Sequence, residues 1–218
     1  MTHITRADIA NGDTSNSLLT REVFIEDLRH EVVEIFNREP LEKQPQAIVD
    51  VNCINGSLLE DIFRIISTLT TRGRHLAEMP VRLVSVGNDR EALEEAAKRL
   101  AKLQHHTLLA EIHQPEKLST ALEQCGLTSE QEALQVRLFV DHRIEVDAQQ
   151  PVNQALTVLG ADEPAHYLDR QGRSVDALAV LSCWQQHFRS LAQSFYKSRL
   201  LILEAHAIPS QLIAQQPA

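Results

Sequence analysis

The chain has 218 residues, 43% hydrophobic and 23% charged, which suits one globular domain with a substantial core. Its 21 Lys and Arg against 30 Asp and Glu leave a formal charge of −9. That acidity argues against a nucleic-acid face, and no apolar run approaches the ~20 residues a bilayer span needs. No basic segment followed by an apolar stretch opens the chain, so secretion is not indicated. The three scattered cysteines, Cys53, Cys125 and Cys183, exclude a disulfide framework and fit a reducing cytoplasm.

Residues 1–17 are polar and read as a flexible lead-in. From Leu18 to Arg38, Phe24, Leu28, Val32, Ile35 and Phe36 recur at helical spacing, with Thr20 as N-cap and Pro40 as terminator. Ala47–Val51 is a short apolar run, followed by the loop Asn52–Gly56 and a helix over Leu58–Thr71. Val81–Val86 predicts a second strand, Asp89–Leu103 a helix, and Thr107–Ile112 a third strand. Pro115–Gln124 predicts a helix, with Pro at its start and Gly126 just past its end. Leu134–Val140 predicts a fourth strand, Ser174–Lys197 a long helix, and Arg199–Leu203 a fifth strand. Residues 144–173, with two prolines and two glycines, break the alternation and read as an irregular insertion or lid. The domain therefore spans 18–209, and 210–218 read as a flexible tail.

Strands alternating with helices predict an α/β fold with a doubly wound, mainly parallel sheet. Such folds bind ligands outside the C-terminal strand ends. That points to Asn52–Gly56, Gly87–Asp89, Glu111–Gln114, Asp141–Arg143 and Glu204–His206.

The order and spacing of four stretches resemble class I S-adenosylmethionine-dependent methyltransferases: IVDVNCINGSLL (48–59), GNDREALEEAAKRL (87–100), LLAEIHQPEKL (108–118) and LQVRLFVDHRI (134–144). With HFRSLAQSFYKSRLLILEAHAIP (187–209), they are similar to the methyltransferase domains of bacterial (trans-acyltransferase-type) polyketide synthases and hybrid peptide–polyketide lines. The resemblance covers about residues 20–209 and implies a Rossmann-like methyltransferase fold. It also implies S-adenosylmethionine as cofactor if the domain is active, and neighbouring synthase domains or a carrier protein as partners.

The departures from the family pattern are specific. The family's first loop has the form D-x-G-x-G-x-G, its glycines allowing positive φ and close approach to the cofactor. Here it reads Asp50-Val51-Asn52-Cys53-Ile54-Asn55-Gly56, with Asn52 and Ile54 in place of two glycines. Asn tolerates the left-handed region. Ile54 is β-branched, and its side chain would fill space that the methionine moiety needs. The acid that accepts from the ribose hydroxyls at the end of strand two aligns with Gly87, and Asp89 follows two residues later. The family's Asp near the adenine is Glu111. Seven strands are the family's number; about five are legible, with the terminal strands missing. The fifth would then be an exposed edge for a neighbouring domain to cover.

The strand-end acids and histidines Asp141, His142, Glu204 and His206 form the candidate catalytic group, because strands four and five are expected to be neighbours. They could act as general base and orienting acid, bind a divalent metal, or simply satisfy strand ends. His105 and His106 are expected to precede strand three as surface residues. Cys53 reads as a small apolar filler, and Trp184, Phe188 and Phe195 as core. The net charge of −9 makes docking of an acidic carrier protein less natural, unless a local cluster such as Arg72/Arg74/Arg82 offsets it. The sequence leads to a degenerate methyltransferase-like domain with a structural or docking role. The alternative is an active C- or O-methyltransferase acting on a carrier-tethered polyketide.

Overall fold

The computed structural model describes residues 25–128, 131–138, 140–141, 167–168, 173–175 and 177–203. The elements are α1 (Ile25–Ile35), β1 (Ala47–Val51), α2 (Ser57–Leu69), β2 (Arg82–Gly87), α3 (Arg90–Arg99), β3 (His105–Leu109), α4 (Pro115–Gln124) and β4 (Ala133–Leu138). They continue with β5 (Tyr167–Leu168), β6 (Ser174–Val175), α5 (Ala177–Ser194) and β7 (Arg199–Leu203). Five strands form one all-parallel sheet in the order β3-β2-β1-β4-β7, and β5 and β6 make a separate antiparallel pair. The predicted doubly wound α/β fold is the one observed.

Period-two alternation builds the two layers. On one face Ile48, Leu83, Leu134, Val136 and Leu138 pack under Val32 and Phe36 from the α1 side and Leu59, Ile62 and Ile66 of α2. On the other, Val49, Val51, Val84 and Val86 pack under Leu118 and Leu122 of α4, Leu191 of α5, and Phe195. Burial on both faces explains why β1 has no exposed residue and reads as a continuous run. Phe195 and Phe188 join the second layer, and Trp184 packs on Val175, Ala179 and Val180, as expected for core residues.

The sheet order places a switch point between β1 and β4, where the chain changes direction of winding. Ligand crevices open at such points. Asn52–Gly56 and Asp141 flank it.

Several boundaries differ from the sequence reading, and two of the differences have a visible cause. β3 starts at His105, two residues early, because Ser85 accepts or donates a hydrogen bond at 2.9 Å to His105 Nε2 and β2 pairs with it from Leu83 onward. His105 and His106 thus open the strand rather than precede it. Ile112 is buried in the following turn. α5 starts at Ala177 because Ser174–Val175 pairs with Tyr167–Leu168. Thr20 and most of the 144–173 insertion lie outside the described residues. Among the described residues no helix is long and apolar enough to cross a membrane.

Candidate functional site

The turn after β1 keeps its shape without its glycines. Asn52 has φ 75°, in the left-handed region where Asn is the best-tolerated substitute for glycine. Its N–H and that of Cys53 both donate to Val86 O at 2.9 Å, which ties the turn to β2. Ile54 is half-buried, and Asn52 is the only non-glycine with positive φ among the described residues, so the backbone at Ile54 suits a β-branched side chain.

Gly56 is required. It has φ 76° at the N-cap of α2, and a Cβ there would lie 3.0 Å from Ala96 Cα and 3.1 Å from Leu100 Cδ1. We therefore expect Gly56→Ala to cost about 2–4 kcal/mol, from left-handed strain plus a crowded contact with α3. Urea unfolding measures this; a loss below about 1 kcal/mol would mean that α3 moves aside.

At the end of β2 the geometry is different. A Cβ on Gly87 would make ordinary contacts, the nearest with Cys53 O at 3.5 Å, so nothing in the backbone calls for glycine there. Asp89 is the N-cap of α3: its Oδ1 accepts from Glu91 N at 2.9 Å and Ala92 N at 3.4 Å. A cap of this kind holds the helix start, and it commits one carboxylate oxygen, Oδ1, locally. Glu111 is exposed beyond β3.

Asp50 is buried on the α2 side of β1, opposite Ser85 in register. Burial pushes its carboxyl up to about 7, and a hydrogen bond with the Cys53 thiol only partly offsets this. Burial, then the Asp50 charge, pushes the Cys53 thiol well above its ordinary value, so no reactive thiolate forms. Cys53 is thus a filler, packed with Leu93 and Ala96.

Across the switch point, Asp141 is 1% exposed and enclosed in a polar group that the sequence reading missed. The guanidinium of Arg137, fully buried, donates from Nε to Asp141 Oδ2 at 2.9 Å and from Nη2 to Oδ1 at 2.5 Å. Nη2 also reaches Ile112 O at 3.3 Å. His187 of α5 meets Asp141 Oδ1 through Nε2 at 2.8 Å. An ionised carboxylate only accepts, so His187 carries its proton on Nε2. Burial raises the Asp141 carboxyl, but the hydrogen bonds from Arg137 and His187 and their charges outweigh it and hold it well below the usual range. Asp141 is therefore a fixed anion with both oxygens engaged.

Of the four candidate catalytic residues, only Asp141 is described; His142, Glu204 and His206 lie outside the described residues. β4 and β7 are neighbours, as expected. Among the described residues no group of three or more His, Cys, Asp or Glu is arranged to hold a metal ion.

The chain belongs to the AprA MT2-like domain family. That family's model matches residues 3–218, nearly the whole length. No curated protein matches. Solved structures similar to this AprA MT2-like domain include the plantazolicin methyltransferase BamL in complex with a triazolic desmethylPZN analog and SAH. There the identity is 13% and the TM-score 0.36, over 61% of this chain and 40% of that one. A SAM-dependent methyltransferase from Agrobacterium tumefaciens shares 8% identity at a TM-score of 0.38, over 87% of this chain and 47% of that one. Aeropyrum pernix fibrillarin with natively bound S-adenosyl-L-methionine shares 10% at 0.32, over 76% and 64%. The AprA MT2-like domain thus spans less than two thirds of each of these proteins.

The basic cluster is not a surface feature. Arg72 is buried and donates to Leu41 O at 3.4 Å and Pro45 O at 3.1 Å. Arg82 donates to Cys125 O at 3.3 Å and Gly126 O at 3.1 Å. Arg74 alone of the three is exposed.

Proposed function

We propose that this AprA MT2-like domain is a non-catalytic, methyltransferase-fold component of a polyketide assembly line, acting as a scaffold or docking element. The observation that carries the reading is the end of β2. The fold family supplies an acceptor for the ribose hydroxyls there; Gly87 offers no side chain, and Asp89, two residues on, is held at the start of α3 through its Oδ1. Ile54 adds apolar bulk to the turn that would face the methionine moiety. The residues present do not fit the cofactor in the way the fold family holds it, and no chemical step is derived through it. A neighbouring synthase domain is a better partner than an acidic carrier protein, because two of the three clustered arginines are spent on internal carbonyls and the net charge is −9.

Titration calorimetry with S-adenosylmethionine and S-adenosylhomocysteine tests this. We expect no heat of binding at millimolar ligand from a protein that melts cooperatively; micromolar binding overturns the reading. The double change Ile54→Gly and Gly87→Asp should gain measurable binding, since a Cβ at Gly87 meets only ordinary contacts.

The second reading, an active C- or O-methyltransferase, draws support from the left-handed turn at Asn52 and the conformation of Gly56, which keep the loop's shape. Under it Asp141 would act by orienting His187 rather than as the base itself, because both its oxygens are engaged.

A further inference from the structure

β3 ends the five-stranded sheet, and its outer edge is open. Leu83 N–H donates to Gln104 O and Ala110 N–H to Gly87 O, each at 2.9 Å. Backbone groups along a strand point to its two sides alternately, so His106 and Leu108 face β2 as well. The N–H and C=O groups of His105, Thr107 and Leu109 therefore point away from the sheet, and no described residue bonds them. α3 packs over one face of β3 and leaves this edge uncovered. His106 and Thr107 are exposed, and Leu109 is 51% exposed, a large apolar side chain left to solvent.

Proteins guard such edges with Lys, Pro or a bulge. β3 reads His105-His106-Thr107-Leu108-Leu109, with no Pro and no Lys, Arg, Asp or Glu, and its register with β2 runs without a bulge. In a chain of charge −9, this ribbon carries none of the excess.

The two ends of the ribbon decide what fits it. Exposed Lys102 precedes it and exposed Glu111 follows it. A two-fold axis turns a second copy antiparallel, which sets each Glu111 beside Lys102 of the other copy. With the axis at Thr107, the outward residues pair Thr107 with Thr107 and His105 with Leu109. Each such pair exchanges two N–H···O bonds. Thr107 lies opposite Ser85 and Leu109 opposite Gly87, on the face that carries the Ser85–His105 bond. The two-fold keeps like faces together, so each Leu109 packs against His105 of the second copy. A strand of another protein would need no such match between the ends. We propose that the β3 edge is a self-association site, where two copies pair antiparallel about Thr107 and extend the sheet across both domains. The inference is independent of whether the domain binds S-adenosylmethionine.

One strand edge buries less than the ~1,600 Å² of a standard interface, so weak, reversible association is expected. Sedimentation velocity of the full chain, from about 1 μM to about 1 mM, should show monomer passing to dimer. Thr107→Lys and Thr107→Glu each set like charges opposite one another at the axis and should each weaken the dimer about fivefold or more. An equimolar mixture of the two variants should restore wild-type affinity, because Lys then meets Glu across the axis. Thr107 is exposed, so both variants should keep the fold, which circular dichroism checks. Should either not fold, amide hydrogen exchange of the wild type decides: protection of His105, Thr107 and Leu109 should rise with concentration. Protection of those three amides that does not change with concentration overturns the proposal. A chain that stays monomeric at about 1 mM overturns it too, and leaves the edge to a foreign strand. A dimer indifferent to both variants, or a mixture no tighter than the variants alone, also overturns it.

Discussion

Replacing Asp141 by Ala is expected to destabilise the domain by about 3–5 kcal/mol, because it leaves the buried Arg137 guanidinium without its anion. Arg137 is fully buried, and its described hydrogen bonds besides those to Asp141 go to Ile112 O. Its Nη1 has no hydrogen-bond partner, so little remains to compensate the charge once Asp141 is gone. Arg137→Met alone should cost a similar amount by depriving the buried Asp141 carboxylate of its two-pronged cation. The double variant Arg137→Met/Asp141→Leu should cost much less than the sum, since removing both charges also removes their desolvation. Urea unfolding of the cycle measures the coupling. Additive losses would mean that the pair is solvated and contributes as a surface bridge does. The sign of the pH dependence follows from the depressed carboxyl: its stabilisation is present above the unfolded value and is lost only as pH falls through the lower folded one. The contribution of the Asp141 carboxylate is therefore unaffected by pH changes near neutrality. The carboxylate also fixes α5 on the sheet through His187, which is how one ion group at the end of β4 positions a helix 46 residues further along the chain.

The alternation of apolar runs and amphipathic segments made the sheet legible, since β1, α4 and β7 begin and end where their patterns do. The shift of β3 was not legible, because His105 enters the strand through Ser85, a partner on another strand that no local pattern reveals. The turn was half legible. Asn52 was expected to tolerate a left-handed backbone and adopts one, whereas Asp89, noted only as the acid two residues past Gly87, serves as a helix cap. Arg137 and His187 went unread for one reason: each is a polar residue inside an apolar pattern. A signal existed in both. Arg137 interrupts the run Leu134–Leu138 of a strand buried along its whole length. His187 continues the buried stripe of Val180, Cys183 and Leu191 at helical spacing. A charged residue on each of two facing apolar surfaces predicts that they meet, because neither is tolerated there alone.

Asp50→Asn is expected to stabilise the protein at neutral pH and leave it nearly unchanged in weak acid. The folded carboxyl titrates at about 7 against 3.8 for the free group. Between those values the folded state holds a proton that the unfolded state has lost, so wild-type stability falls as pH rises and is flat above neutrality. A shift of this size corresponds to about 4 kcal/mol at most, and a smaller gain is expected where the amide lacks partners of its own. Other groups do not imitate this signature. Asp141, Glu34 and Glu116 are all depressed, so they act only toward the acid end of the range and with the opposite sign. His105 is depressed too, which for a histidine means that stability is lost as pH falls below its unfolded value, opposite in sign to Asp50. The gap between variant and wild type in denaturant midpoint, measured from pH 4 to 8, isolates Asp50 from both. It should open in the variant's favour up to about pH 7 and then stay constant. A gap that does not change with pH would place the carboxyl in contact with water in the folded state.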